Sequence, residues 1–100
     1  MIPVITYRTE VGECALEVLR EDCPSALVLD VAAGWAGTET IPAYYVGADG
    51  VRLTPVLDSD GTAFAFSVTN KVLPIYFPCK IKLEKPESDA GMGVNWFANR

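Results

Sequence analysis

The chain has 100 residues, eight Lys/Arg against thirteen Asp/Glu, a net charge of −5, and an apolar half. That length and balance give one domain with one modest core, and cations scattered under a net negative charge exclude the clustered positive patch that nucleic-acid backbones require. No stretch approaches the roughly 20 apolar residues of a membrane span, and there is no histidine, which removes Ser-His and Cys-His nucleophile pairs and the commonest transition-metal ligand.

In chain order, Ile2 to Arg8 is rich in β-branched and aromatic residues and reads as a strand, with Pro3 confining it to an edge or a strand start. Residues 9–23 carry two patterns. Val11, Cys14, Ala15, Val18 and Leu19 match a helical face, with Thr9 as a cap and Cys23-Pro24 as a stop. Cys14, Leu16 and Val18 also alternate with Glu13 and Glu17, and Gly12 disfavours a helix, so a strand is expected here. Residues 26–33 form the next strand, and Gly34 to Thr38 a loop with Trp35 folded back onto the core. Ile41–Val46 and Val51–Leu57 flank the turn Gly47-Ala48-Asp49-Gly50 as a hairpin. A second turn, Asp58-Ser59-Asp60-Gly61, leads into Thr62–Val68, where Phe64, Phe66 and Val68 share a face. Leu73–Phe77 and Cys79–Leu83 complete the strands, with Ile81 and Leu83 alternating against Lys80, Lys82 and Glu84. Short strands separated by turns about every ten residues, with no βαβ rhythm, predict an all-β, antiparallel β-sandwich, either immunoglobulin-like or jelly-roll. The expected core includes Leu27, Leu29, Val31, Phe64, Phe66, Val68, Ile81 and Leu83.

After Lys85 the composition changes. Residues 86–93, Pro-Glu-Ser-Asp-Ala-Gly-Met-Gly, read as a linker, so the division expected is a sandwich over 1–85 and a flexible C-terminal arm over 86–100. Val94, Trp96 and Phe97 on such an arm are candidate interface residues, docking on a neighbour. Tyr45 and Tyr76 join them, because consecutive aromatics in a strand (Tyr44-Tyr45, Tyr76-Phe77) turn one ring outward.

The chemistry-bearing residues point away from catalysis. G-x-S-x-G, P-loop and G-x-G-x-x-G motifs are absent, and no spacing singles out a carboxylate pair. Asp58-Ser59-Asp60-Gly61 lacks the later ligands of a calcium loop and reads as a turn, as does Asp49-Gly50. Cys14, Cys23 and Cys79 fit no zinc spacing. Their odd number and the absence of an N-terminal export signal favour reduced thiols in a cytoplasmic setting, while a Cys14–Cys23 bridge stays open. No cofactor and no metal are expected.

The stretch Ala26–Leu83, through its Val46-Gly47-Ala48-Asp49-Gly50-Val51 hairpin, the run Asp60–Val68 and the strand 79–83, resembles the small β-sandwich modules of tailed-bacteriophage virions: capsid decoration, fibre and baseplate proteins. The resemblance implies a non-catalytic structural protein assembled in the host cytoplasm. Its partners would be other copies of itself and a larger assembly such as a capsid shell, with no nucleic acid and no membrane. A small adaptor or carbohydrate-binding module is the alternative reading.

Overall fold

In a computed structural model that describes residues 1–98, the strands are β1 (Ile2–Arg8), β2 (Gly12–Val18), β3 (Ser25–Val31), β4 (Ile41–Val46), β5 (Leu53–Pro55), β6 (Ala65–Phe66), β7 (Val72–Ile75), β8 (Cys79–Lys85) and β9 (Met92–Phe97). Sheet 1 has the order β1-β9-β3-β7 and sheet 2 the order β2-β8-β4-β5, with β6 also pairing β4. Every pairing is antiparallel. The pairs β1/β9, β2/β8, β3/β7 and β4/β5 are nested, like a long hairpin, and β3/β9 and β4/β8 close the roll. Nested pairing of this kind is the jelly-roll form of the sandwich, which decides between the two architectures expected from sequence.

The ambiguous segment 9–23 is a strand followed by a short 3-10 turn at Arg20–Asp22. Glu13, Ala15 and Glu17 are exposed, while Cys14 and Leu16 pack against the core and Val18 is buried, so period-two alternation decided the outcome. The three cysteines are free, and no Cys14–Cys23 bridge forms. Trp35 lies partly buried against the core.

Leu27, Leu29, Phe64, Phe66, Ile81 and Leu83 are buried as expected, with Phe64 and Phe66 meeting edge to face at 5.0 Å. Val31 is only partly buried against the same cluster. Val68 is a correction: it is 42% exposed. The strand expected over 62–68 shrinks to Ala65–Phe66, because Ser67 and Asn70 exchange backbone hydrogen bonds and turn the chain before Val68 can follow Phe66 inward. The return strand expected over 51–57 likewise shortens to Leu53–Pro55.

The division into a sandwich over 1–85 and an arm over 86–100 is also corrected. Residues 92–97 are a strand inserted between β1 and β3, with Ile2 opposite Trp96 and Leu29 opposite Val94. Asn99 and Arg100 lie outside the described residues. The glycines that suggest a linker are packing residues here. A Cβ on Gly93 would come within 2.7 Å of the Ile5 carbonyl oxygen, and one on Gly91 would strike the Tyr7 ring. The segment before β9 is held by Lys85, which is buried at the end of the Ile81-Leu83-Lys85 row. Its ammonium donates to the carbonyls of Thr9 (3.2 Å), Glu10 (2.9 Å) and Pro86 (2.8 Å) and to Ser88 Oγ (3.1 Å). The Ser88 amide donates to Thr9 O at 2.9 Å, so the β1–β2 and β8–β9 connections are tied together.

Candidate interaction surface

A sandwich has two outward sheet faces, and in an antiparallel sheet the outward face is ordinarily polar. Sheet 2 follows that rule. The register sets Glu17 against Lys80, Ala15 against Lys82 and Glu13 against Glu84, with Tyr44 on the other side of Lys82. Glu17 and Lys80 approach to 4.0 Å and Glu13 and Lys82 to 3.8 Å, exposed pairs worth about 0–1 kcal/mol each. The β4–β5 hairpin borders this face, with Val46, Val51 and Leu53 forming one side of an open cleft of about 640 Å³.

Sheet 1 breaks the rule. Its outward positions on β3 are Ala26, Val28 and Asp30, alternating with Leu27 and Leu29 inside. Val28 lies between Asn95 and Val72, with Pro3 beyond Asn95. Ala26 lies between Phe97 and Pro74. Asp30, opposite Gly93, is the one charged residue in these rows. Val72 is 52% exposed and Phe97 45%. The apolar surface continues past the β7 edge into a groove of about 410 Å³, whose lining includes Val72, Pro74, Leu57, Tyr45, Tyr76 and Phe77. Tyr76 stands 73% exposed, and Phe77 leans on Tyr45 with ring centroids 5.7 Å apart. A surface this rich in exposed apolar side chains is the kind that protein partners cover.

The five residues singled out from sequence therefore separate. Phe97 lies on the sheet 1 face, and Tyr45 and Tyr76 line the groove beside it. Val94 and Trp96 are corrected: they are 0% and 4% exposed, in the core of their own chain, and the Trp96 indole N–H donates to Ser25 Oγ at 3.1 Å. Their strand position aims them inward, not onto the free arm that the composition of 86–93 predicts. Val28, Ala26, Val72 and Pro74 were missed, although the signal was present. Neither Ala26-Leu27-Val28-Leu29 nor Val72-Leu73-Pro74-Ile75 has a polar member, so both faces of each strand are apolar.

Other polar groups organise turns, while the buried Trp35 indole N–H has no hydrogen-bond partner among the described residues. Asp58 accepts hydrogen bonds from the Asp60 amide (2.9 Å), the Thr62 amide (3.1 Å) and the Thr62 hydroxyl (3.0 Å), which makes it the organiser of its turn. Desolvation works against its charge, but the Thr62 hydroxyl and the Thr62, Asp60 and Gly61 amides prevail and hold its pKa below the usual carboxylate range. The Arg52 and Val51 amides do the same for Asp49. Burial pushes the Cys14 thiol up, and burial followed by the nearby Cys23 pushes Cys79 up, away from the reactive thiolate. Burial lowers the pKa of Lys85, and the Arg8 charge adds to that. Among the described residues, no three His, Cys, Asp or Glu side chains gather in a way that could hold a metal ion, and no helix is long and apolar enough to cross a membrane. No protein-family model, curated protein or solved structure matches the chain.

Proposed function

We propose that this chain is a non-catalytic structural protein of a virus particle, a capsid decoration or cement component that works through protein–protein contacts. The observation that carries the reading is the outward face of sheet 1. A small jelly roll with one outward sheet surface that is apolar apart from Asp30 and Asn95 is suited to being covered by other protein. Viral shells are one recurrent home of the jelly roll, and that part of the argument is analogy from fold. The sequence resemblance to phage virion modules points the same way. The test is quantitative mass spectrometry of purified particles from the lysate in which the chain is made. Peptides of this chain should appear at a fixed ratio to the shell protein. A chain recovered only in the particle-free fraction overturns the reading.

A second reading rests on the cleft over sheet 2. Glu13, Glu17, Lys80 and Lys82 border about 640 Å³ of open space and offer donors and acceptors of the kind a carbohydrate-binding module uses. Titration with neutral oligosaccharides tests it: saturable binding abolished by Lys82→Ala would favour this reading over the first.

A further inference from the structure

We infer that the outward face of sheet 1 is a self-association surface, and that its occupant is the same face of a second copy. The inference deepens the structural-protein reading and rests on it in taking the occupant to be protein. Two observations favour a second copy, and a third sets the extent of the contact.

The first is charge. Each chain carries −5, so two copies repel wherever their acidic surfaces approach. The outward face of sheet 2 carries Glu13, Glu17 and Glu84 with Lys80 and Lys82 paired among them, whereas the outward rows of sheet 1 carry one charge, Asp30. Stacking sheet 1 on sheet 1 makes a four-layer body with both sheet 2 faces outermost, and it brings only Asp30 from the outward rows of each copy to the contact, where repulsion between two acidic chains is least.

The second is the shape and chemistry of the face. Its centre is small or flat, with Ala26 and Val28 on β3, and its margins are larger, with Phe97 on one side and Val72 and Pro74 on the other. Asn95, the direct neighbour of Val28, makes no side-chain hydrogen bond with the other described residues. An amide has one donor side and one acceptor side, so two of them related by a twofold axis satisfy each other.

The third is area. Four strands about 4.8 Å apart, each offering about five residues at roughly 3.3 Å, project roughly 300 Å². A stable interface takes about 800 Å² from each partner. The face alone falls short, and the apolar groove beside β7, sharing Val72 and Pro74 with it, extends it without a break. Tyr76 and Phe77 therefore fall at the edge of the same interface.

The experiment is sedimentation equilibrium of the full chain with three substitutions. The wild-type chain should sediment at twice its 10.8 kDa. Val28→Asp and Val72→Asp, each placing a charge on the face, should halve that mass while circular dichroism still reports a β-fold with a cooperative melt. Val51→Asp, an 81% exposed position beside the sheet 2 cleft, should leave the doubled mass intact. Should Val28→Asp fail to fold, Val72→Asp on the edge strand still decides the matter. A wild-type chain of single mass at high concentration, or a doubled mass that survives Val72→Asp, overturns the inference. A monomer that is still found in particles would sink the self-association alone. A dimer absent from particles would sink the virion reading alone.

Discussion

Replacing Trp96 with alanine tests the most consequential feature of the fold, the insertion of β9 between β1 and β3. Trp96 is 4% exposed and sits opposite Ile2 on one side and Leu27 on the other. Truncating a buried aromatic costs about 3–5 kcal/mol, from lost transfer energy and the cavity left behind. Losing the 3.1 Å bond from its indole N–H to Ser25 Oγ adds about 1 kcal/mol. Against a total of about 5–15 kcal/mol for a native domain, the variant should be near the limit of folding. The assay is urea unfolding followed by far-ultraviolet circular dichroism, since the substitution removes one of the two tryptophans. With about 2 kcal/mol per molar urea, the midpoint should fall by roughly 2 M or the transition disappear. Trp96→Phe separates the terms: it keeps most of the ring volume and should lose only about 1–2 kcal/mol. If both variants unfold within about 0.5 kcal/mol of the wild type, as surface substitutions do, β9 is not a central strand and the sheet order given above is wrong.

The remaining expectations follow the same logic. Phe66→Ala, at a position with 0% exposure, should cost about 3–5 kcal/mol in the same assay, and a loss under about 0.5 kcal/mol would place the ring outside the core. Lys85→Met removes the donor shared by Thr9, Glu10, Pro86 and Ser88, so it should cost about 2–4 kcal/mol and speed hydrogen exchange in residues 86–91 first; uniform exchange would show that Lys85 is not the tie. Asp49 and Asp58 have lowered folded-state pKa values, so their contribution is complete above the ordinary aspartate range and is lost as pH falls through the folded values. The melting midpoint should therefore drop below about pH 4, and the Asp49→Asn/Asp58→Asn double variant should show a shallower drop; identical acid profiles would remove the two turns from the account.

Much of the fold was legible because sheet architecture is written in period-two alternation. Cys14-Ala15-Leu16-Glu17-Val18 and Lys80-Ile81-Lys82-Leu83-Glu84 each state which residues face in, and these two strands pair in unbroken register. The turn aspartates were legible because Asp-x-Asp-Gly is local chemistry: the carboxylate bonds amides two to four residues ahead. What failed was non-local. Residues 86–97 have turn-like and then mixed composition, and nothing in them says that Gly93 is there to let the β1 backbone approach, or that Lys85 is satisfied by carbonyls 75 and 76 positions away in sequence. Val68 failed for the opposite reason. Its alternation with Phe66 was right, but the turn closed by Ser67 and Asn70 ended the strand first. Tyr45, Tyr76 and Phe97 were found as interface candidates from residue type alone, whereas the face that Phe97 belongs to required knowing that β3, β7 and β9 are neighbours.

The nested pairing also ties the interaction surface to complete folding. The outward face of sheet 1 is assembled from β1, β3, β7 and β9, so it draws on residues from Pro3 to Phe97. Ala26 and Val28 have their Phe97 and Asn95 neighbours only once the last strand has docked. Before that step, β1 and β3 present open hydrogen-bonding edges where β9 belongs, the kind of edge that pairs indiscriminately with other chains. In the folded sheet β9 both covers those edges and completes the apolar face. Long-range pairing of this sort makes folding slow relative to local structure, which lengthens the time the edges are exposed. In the folded chain the grip of Lys85 on the carbonyls of Thr9 and Glu10 holds the β8–β9 connection against the end of β1. The outward face of sheet 1 is therefore complete only when the hydrogen bonds of β9 to β1 and β3 are made, so an association through that face has to follow folding instead of competing with it.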